Sequence, residues 1–401
     1  MAWRLREVAP ARRELLVAVG TLGSQVFVYA LNIVASRQLG TAVFGEFASL
    51  LTLSVILGLP ATALQQWAAR ATATHRMTGG DEPGPLRTII GTTAVIATGA
   101  AVLGALVTVL VAPLLDTPRW GAALAVATIV FPLAWLSAGE GILLGGERFG
   151  RLAVAFLLSG SSRLAGVAAI ALGERTAWVV VATIGLSSMV AAIVVLGLAG
   201  VGRDLHLGHA RPVAVIQILF ATGAIWALGN VDVVLARANL SKETAGLYAA
   251  GALVGRAVQW APQFIAVSSF ARFTDPEQSL VALRECVVKV AAFGALAVLG
   301  LAAVGPWLLP FVLGDDYTRS GHVAWQFAVL GTFLALNQLL IMQRVARHDE
   351  LAAAAVWAAA AVFMLAVTLT PGLGIGLMIA IGCLVNLGLG AVLLVRATVR
   401  P

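Results

Sequence analysis

Residues 152–172 read LAVAFLLSGSSRLAGVAAIAL, a run long enough to cross a membrane as a helix, with Arg163 as its one charge. A hydrocarbon core about 30 Å thick requires about 20 consecutive apolar residues in helical form. A guanidinium keeps its proton under all ordinary conditions, and one at the bilayer centre costs about 2.5–3.5 kcal/mol on insertion scales. Arg163 therefore marks a position where the protein or its cargo must offset that cost.

The surrounding sequence repeats the same kind of segment. Hydropathy divides the chain into twelve expected spans, near 15–36, 43–67, 88–112, 120–144, 152–172, 177–200, 213–236, 244–268, 287–309, 321–343, 351–370 and 372–395. With 60% hydrophobic residues, 11% charged residues and a mean hydropathy of +0.95, too little polar surface exists to keep 401 residues soluble. Continuous apolar runs of this length favour helices, because a membrane barrel shows segments of about ten residues alternating outward and inward. The expected fold is an all-α polytopic membrane protein. The uncharged run 15–36 lacks a small-residue cleavage site, so the first span is expected to remain as a helix.

The formal net charge of +7 does not point to nucleic acid, since the basic residues are scattered through short loops and form no patch. Topology accounts for them. With the N-terminus inside, eighteen basic residues fall on the cytoplasmic side and six outside, and two intramembrane arginines complete the 26. That positive-inside bias, with an even number of spans, places both termini in the cytoplasm of a cell inner (plasma) membrane protein. Trp67, Trp120, Trp178, Trp307 and Trp325 lie near expected interfaces. Cys286 and Cys383 are too few for a disulfide framework and read as packing residues. The five histidines show no metal-ligand spacing, and no phosphate-binding GxxxxGK[ST] loop is present, so neither a metal, a cofactor nor a built-in ATPase of that kind is expected.

The polar segment 201–212, VGRDLHLGHARP, separates an N-terminal six-helix lobe, 1–200, from a C-terminal one, 213–401, and reads as a cytoplasmic linker. The lobes align with each other. Residues 32–70 lie on 232–272 at an offset of 200 to 202, matching Asn32 with Asp232, Gly45 with Gly246, Phe47 with Tyr248 and Arg70 with Arg272. Six spans per repeat preserve orientation, which relates the lobes by an axis along the membrane normal and places a binding site between them.

The second intramembrane arginine, Arg256, falls in the eighth span, so each lobe holds one. Helical spacing groups the remaining polar residues into stripes: Gln25, Tyr29, Asn32 and Ser36 in the first span, Ser159, Ser162 and Arg163 in the fifth, and Tyr248, Arg256, Gln259 and Gln263 in the eighth. Lipid satisfies none of these groups. Ser, Asn and Gln also serve as glue between membrane helices, so the stripes read either as helix contacts or as the polar lining of a cavity. Arg163 and Arg256 read as its anion-binding floor, because a planar guanidinium donates paired hydrogen bonds to phosphate oxygens. Two acids lie within spans. Glu140, a turn from the cytoplasmic end of the fourth, reads as a loop-end structural acid. Asp232, a turn from the outer end of the seventh, is left open between a gate, a proton or sodium site, and a helix tether. Neither is expected at the height of an arginine. Gly251 and Gly255 form a GxxxG that permits close packing.

Three stretches carry a family likeness: RQLGTAVFGEFASLLTL at 37–53, GGERFGR at 145–151 and NVDVVLARANLSKETAGLYAAGALVGRAVQWAP at 230–262. They resemble the polysaccharide transporter family of the multidrug/oligosaccharidyl-lipid/polysaccharide (MOP) exporter superfamily. The resemblance implies a MATE-like bundle of two lobes around a central cavity. It also implies a non-enzymatic activity, flipping an undecaprenyl-pyrophosphate-linked oligosaccharide from the cytoplasmic to the outer leaflet by alternating access. Lipid-linked oligosaccharide, membrane lipids and glycan polymerase or glycosyltransferases are the expected partners. A cation-coupled multidrug exporter of the same fold and a non-transporting scaffold for glycan assembly are the alternatives. The lipid II flippases of the superfamily carry two further helices, which twelve spans do not accommodate.

Overall fold

A computed structural model describes residues 10–77, 86–201, 210–262, 279–346 and 350–399, together with Ile265 and Phe273. Every element of regular structure among them is helical. Among the described residues, nine helical stretches are long and apolar enough to cross a membrane. Large apolar side chains such as Leu110, Leu172 and Leu299 stand exposed, as a lipid-facing surface requires.

The first stretch, Leu16–Arg76, runs 61 residues. At 1.5 Å per residue that is roughly 90 Å, about three times the hydrocarbon thickness. It holds both of the first two expected spans. Helix α1, Pro10–Leu57, is divided at Gly40, whose φ of 73° and ψ of 163° lie in a region open essentially to glycine alone. No loop is needed between the spans because one residue makes the break. Helix α2, Leu59–Met77, follows after Gly58.

Helices α3 (Leu86–Leu115), α4 (Arg119–Gly145), α5 (Phe149–Ser161), α6 (Arg163–Ala171) and α7 (Ala177–Ala199) continue the chain. The fifth expected span is one helical stretch, Phe149–Ala171, in which Ser162 between α5 and α6 keeps helical angles (φ −54°, ψ −26°). The seventh is divided, into α8 (Pro212–Leu228) and α9 (Val231–Asn239), with a turn at Gly229 and Asn230. Then come α10 (Lys242–Trp260), α11 (Ser279–Leu313), a 3-10 turn at Asp315–Tyr317, and α12 (Thr318–His322). Helices α13 (Ala324–Ala346), α14 (Glu350–Leu369) and α15 (Ile375–Val399) complete the sequence of elements.

The chain forms two compact units, one of Met1–Gln38 with Leu53–Gly223, the other of Leu39–Thr52 with Ala224–Pro401. In the first, Leu64 and Ala68 of α2, Leu136 and Leu143 of α4, and Val195 of α7 form a buried core. Gly141 and Gly145 of α4 lie against the carbonyls of Gln65 and Ala69, so side chains there would hold α2 and α4 apart. Arginines close the helix ends nearby. Arg148 and Arg151 donate to Ala199 O and Leu198 O, both at 3.2 Å, where α7 ends on the left-handed Gly200. Arg76 pairs with Glu147 at 3.4 Å. Cations at these carbonyl-rich termini are favoured by the helix dipole, which gives the GGERFGR turn a structural role.

In the second unit Leu339, Leu340, Val356, Leu389 and Leu393 make the core, with Cys286 buried in it. The GxxxG packs as expected, Gly251 against Phe327 and Gly255 against the carbonyl of Gly331's helix neighbour Phe327, 3.0 Å from a built Cβ. Residues 39–52 belong to this unit, and Gly45 meets the backbone of Gly246 at 2.8 Å from a built Cβ. These are the two glycines that the internal repeat aligns.

Candidate functional site

Two polar clusters lie at the arginines, one in each unit. In the first unit, Arg163 stands at the start of α6, directly after Ser162. Its side chain leans toward the preceding turn, as helical side chains do, and Nη1 donates to Ser159 O at 2.6 Å and to Ser162 Oγ at 3.4 Å. Glu140 of α4 interacts electrostatically with it. That acid stands five residues before the end of α4 at Gly145 and is buried: it is 7% exposed, and Oε2 accepts from Gln65 Nε2 of α2 at 3.0 Å. Gln65 carries no charge and sits in no obvious stripe, so only the packing of α2 on α4 brings it to notice.

The stripe on α1 is divided in its surroundings. Asn32 is buried and returns its amide to Val28 O at 2.8 Å, whereas Gln25 is half-buried and Tyr29 exposed. Helix α1 lies directly on α5, with Gly20 against the backbone of Ala153 and Gly160 against that of Ser24, built Cβ distances of 2.7 and 2.6 Å. Half-buried Ser159 accepts from Arg163 on this same pair of elements.

In the second unit, Asp232 stands in the first turn of α9 and Arg256 three turns and more into α10. Counted along the backbone from the turn at Leu240 and Ser241, they differ in depth by about 10 Å. The expectation that no acid reaches an arginine is corrected: Arg256 Nη2 lies 3.5 Å from Asp232 Oδ1. The two helices run in opposite directions, and each side chain leans toward its own helix N-terminus, so the two lean toward each other. Helix α9 also ends at Asn239 rather than near 236, which sets Asp232 deeper than hydropathy suggests. Tyr248 Oη donates to Asp232 Oδ2 at 3.3 Å, and its fully buried ring is fixed edge-on to Phe327 at 5.1 Å.

The pair is close without being hydrogen-bonded. Asp232 Oδ1, Arg256 Nε, Arg256 Nη2 and Gln259 Oε1 are buried atoms with no hydrogen-bond partner. Gln259 is 6% exposed and stands one turn beyond Arg256 on the same face. The fourth member of the expected stripe, Gln263, lies outside the described residues. Trp226 of α8 and Trp260 of α10 meet edge-to-face at 5.1 Å beside this cluster, and Asn230 Nδ2 donates to Trp226 O at 2.8 Å across the helix break. The hydropathy pattern gave no reason to single out these tryptophans. Their spacing to Arg256 and to the break is the signal that distinguishes them.

The arrangement of these helices matches that of solved membrane transporters, and the fold is MATE-like. The chain is similar to a multidrug resistance MATE family transporter of the MOP superfamily in its inward-facing conformation, at TM-score 0.70 and 10% identity, covering 94% of this chain and 95% of that one. It is equally similar to the lipid II flippase MurJ in an inward closed conformation, at TM-score 0.70 and 11% identity, covering 96% and 87%. A MOP superfamily transporter from Pyrococcus furiosus, described by a reversed polarity of its binding pocket that suggests a different function, aligns at TM-score 0.56 and 15% identity over 97% and 95%. No family model and no curated protein matches the sequence. At these identities the likeness defines the fold, and with the spans it makes this a multi-pass membrane protein.

Proposed function

We propose that the protein is a flippase that moves an undecaprenyl-pyrophosphate-linked oligosaccharide from the inner to the outer leaflet by alternating access, with Arg163 and Arg256 binding the pyrophosphate. The observation that carries this reading is the state of Arg256. Two of its nitrogens are buried without a hydrogen bond although a carboxylate lies 3.5 Å away. Buried donors left unmade cost free energy, and a phosphate group supplies the paired oxygen acceptors that a guanidinium fork fits. Asp232 balances the charge until the anion arrives. The polyprenyl chain stays in lipid throughout, so the protein handles only the charged and hydrated part of the cargo.

Similarity to a structure described as a lipid II flippase supports a lipid-linked cargo. The Pyrococcus furiosus transporter supports reading function from the sign of charge within this fold. Asp232 takes the role of gate or coupling group, for a proton or sodium. Glycosyltransferases and a glycan polymerase are the partners on either side of the step. Cation-coupled drug export is a second reading, favoured by the presence of an acid at each arginine, Glu140 and Asp232.

The test is binding and flipping of a prenyl-pyrophosphate-linked glycan in proteoliposomes at matched protein amounts. Arg256→Ala and Arg163→Ala are expected to abolish flipping, and Arg→Lys, which keeps charge but loses the fork, to retain part of it. Unchanged flipping in both alanine variants removes the arginines from the mechanism. Transport of organic cations with no binding of the glycolipid replaces this reading with the second.

A further inference from the structure

Helix α10 turns one open face toward its C-terminal end. Arg256, Ala257, Trp260 and Ala261 stand at i, i+1, i+4 and i+5, which is one side of a helix, and the backbone stays helical through Ala261. Ala257 and Ala261 are exposed, Trp260 is half-buried, and the Arg256 side chain is 23% exposed. A face that carries a partly exposed guanidinium offers a polar occupant an anchor that lipid tails do not use.

The occupant has two chemical parts. Arg256 accounts for an anion. Four residues on, about 6 Å along the axis, stands the half-buried Trp260, with the small, exposed Ala257 and Ala261 on the same side of the helix leaving room for a shelf beside it. Trp226 holds that indole edge-to-face, with ring planes 82° apart. In this geometry each ring keeps at least one face that the other ring does not cover. The π face of an indole is electron-rich, and the C–H bonds on one side of a pyranose present a weakly positive apolar surface that stacks on it. Asn230, at the break between α8 and α9, ties down the backbone of Trp226 by donating to its carbonyl. A pyranose esterified directly to a phosphate on Arg256 has its ring within reach of this shelf.

We propose that Trp260, supported by Trp226 and flanked by Ala257 and Ala261, is a sugar-stacking subsite for the first, phosphate-linked pyranose of the cargo. The assignment rests on the pyrophosphate-binding reading of Arg256 and adds recognition of the sugar to it. It requires that the protein distinguish a glycosylated pyrophosphate from one of equal charge that carries no sugar.

The experiment compares two probes on the purified full-length protein in lipid nanodiscs. One is a short-chain prenyl pyrophosphate esterified with N-acetylglucosamine, the other the same prenyl pyrophosphate esterified with methyl, so both diesters carry the same charge. Wild type is expected to bind the sugar diester about fivefold more tightly. Trp260→Ala is expected to erase that preference and leave the affinity for the methyl diester unchanged, while Trp260→Phe keeps part of it. Ala257→Leu, which leaves the indole in place and fills the shelf, is expected to erase the preference in the same way, and it answers the question if Trp260→Ala fails to fold. Equal binding of the two probes by wild type overturns the subsite and leaves the anion site standing. An equal loss for both probes in Trp260→Ala and Ala257→Leu also overturns it, in favour of a packing role. Binding of neither probe by wild type rejects the anion reading and the subsite with it.

Discussion

Arg256 and Asp232 show how a membrane protein can hold charge without spending it. A fully hydrogen-bonded buried pair is inert toward ligands because breaking it costs several kcal/mol. Here the approach is 3.5 Å, Tyr248 holds the other carboxylate oxygen, and the remaining donors are unmade. Tyr248→Phe removes one hydrogen bond to a charged group and is expected to lower thermal stability by about 1.5–3 kcal/mol, measured by thermal unfolding in detergent. If transport falls with no loss of stability, Tyr248 acts on the cargo and not through Asp232. A second residue-scale effect lies in the loop before α7. Glu174 Oε1 accepts the backbone N–H of Arg175 at 2.9 Å and of Thr176 at 2.7 Å. Hydrogen bonds from Thr176, first, hold the Glu174 carboxyl below the usual range. A depressed carboxyl stabilises the fold above its unfolded value, and the contribution disappears as pH falls through the folded one. Glu174→Gln is therefore expected to be less stable than wild type near neutral pH, with the difference vanishing in acid. A difference that persists in acid assigns the effect to packing.

At the scale of the element, breaks matter more than helices. Hydropathy located most of the helical stretches, since long apolar runs have few alternatives in lipid. It separated the first two spans, which form one stretch, and the seventh and eighth expected spans are not among the nine of the described residues. Ser162 and Gly229–Asn230 lie within small and polar runs, SGSSR at 159–163 and GNVD at 229–232, that an average of hydropathy over a whole span passes over. The arginines were legible as isolated charges, while their partners were not. Gln65 reaches Glu140 across the α2 and α4 packing, and Asp232 reaches Arg256 through the opposed lean of two antiparallel helices. Neither relation exists in one dimension. Gly40 is the sharpest of these local features. A built Cβ there meets nothing within 4 Å, so any cost of substitution comes from the backbone alone. Gly40→Ala is expected to destabilise by about 1–3 kcal/mol, and a variant as stable as wild type would mean that the junction relaxes into another conformation.

For the whole molecule, the internal repeat divides structure from chemistry. Gly45 and Gly246, which the repeat read from the sequence aligns, lie against each other. The polar triad is not repeated. Asn32 stands where the second repeat has Asp232, and Phe47 where it has Tyr248, so the first repeat lacks both the acid and its hydroxyl partner. Its arginine, Arg163, comes from a different span. The positive-inside bias predicts that the linker faces the cytoplasm. Single cysteines placed in the 201–212 linker are expected to react with membrane-impermeant reagents only from the cytoplasmic side, and labelling from outside would reverse every statement of sidedness.

Residues 39–52 come from the N-terminal half of the sequence and are built into the unit formed otherwise by residues 224–401. Within it, Arg237 Nη1 donates to Ala42 O at 3.2 Å, and Gly246 closes on the carbonyl of Thr41. A chain cut in the linker therefore yields two fragments of which the second lacks a piece of its own interior. Expressed alone, the C-terminal fragment is expected to be degraded. Expressed with the N-terminal fragment, it should recover and co-purify with it, as a plug does with its socket.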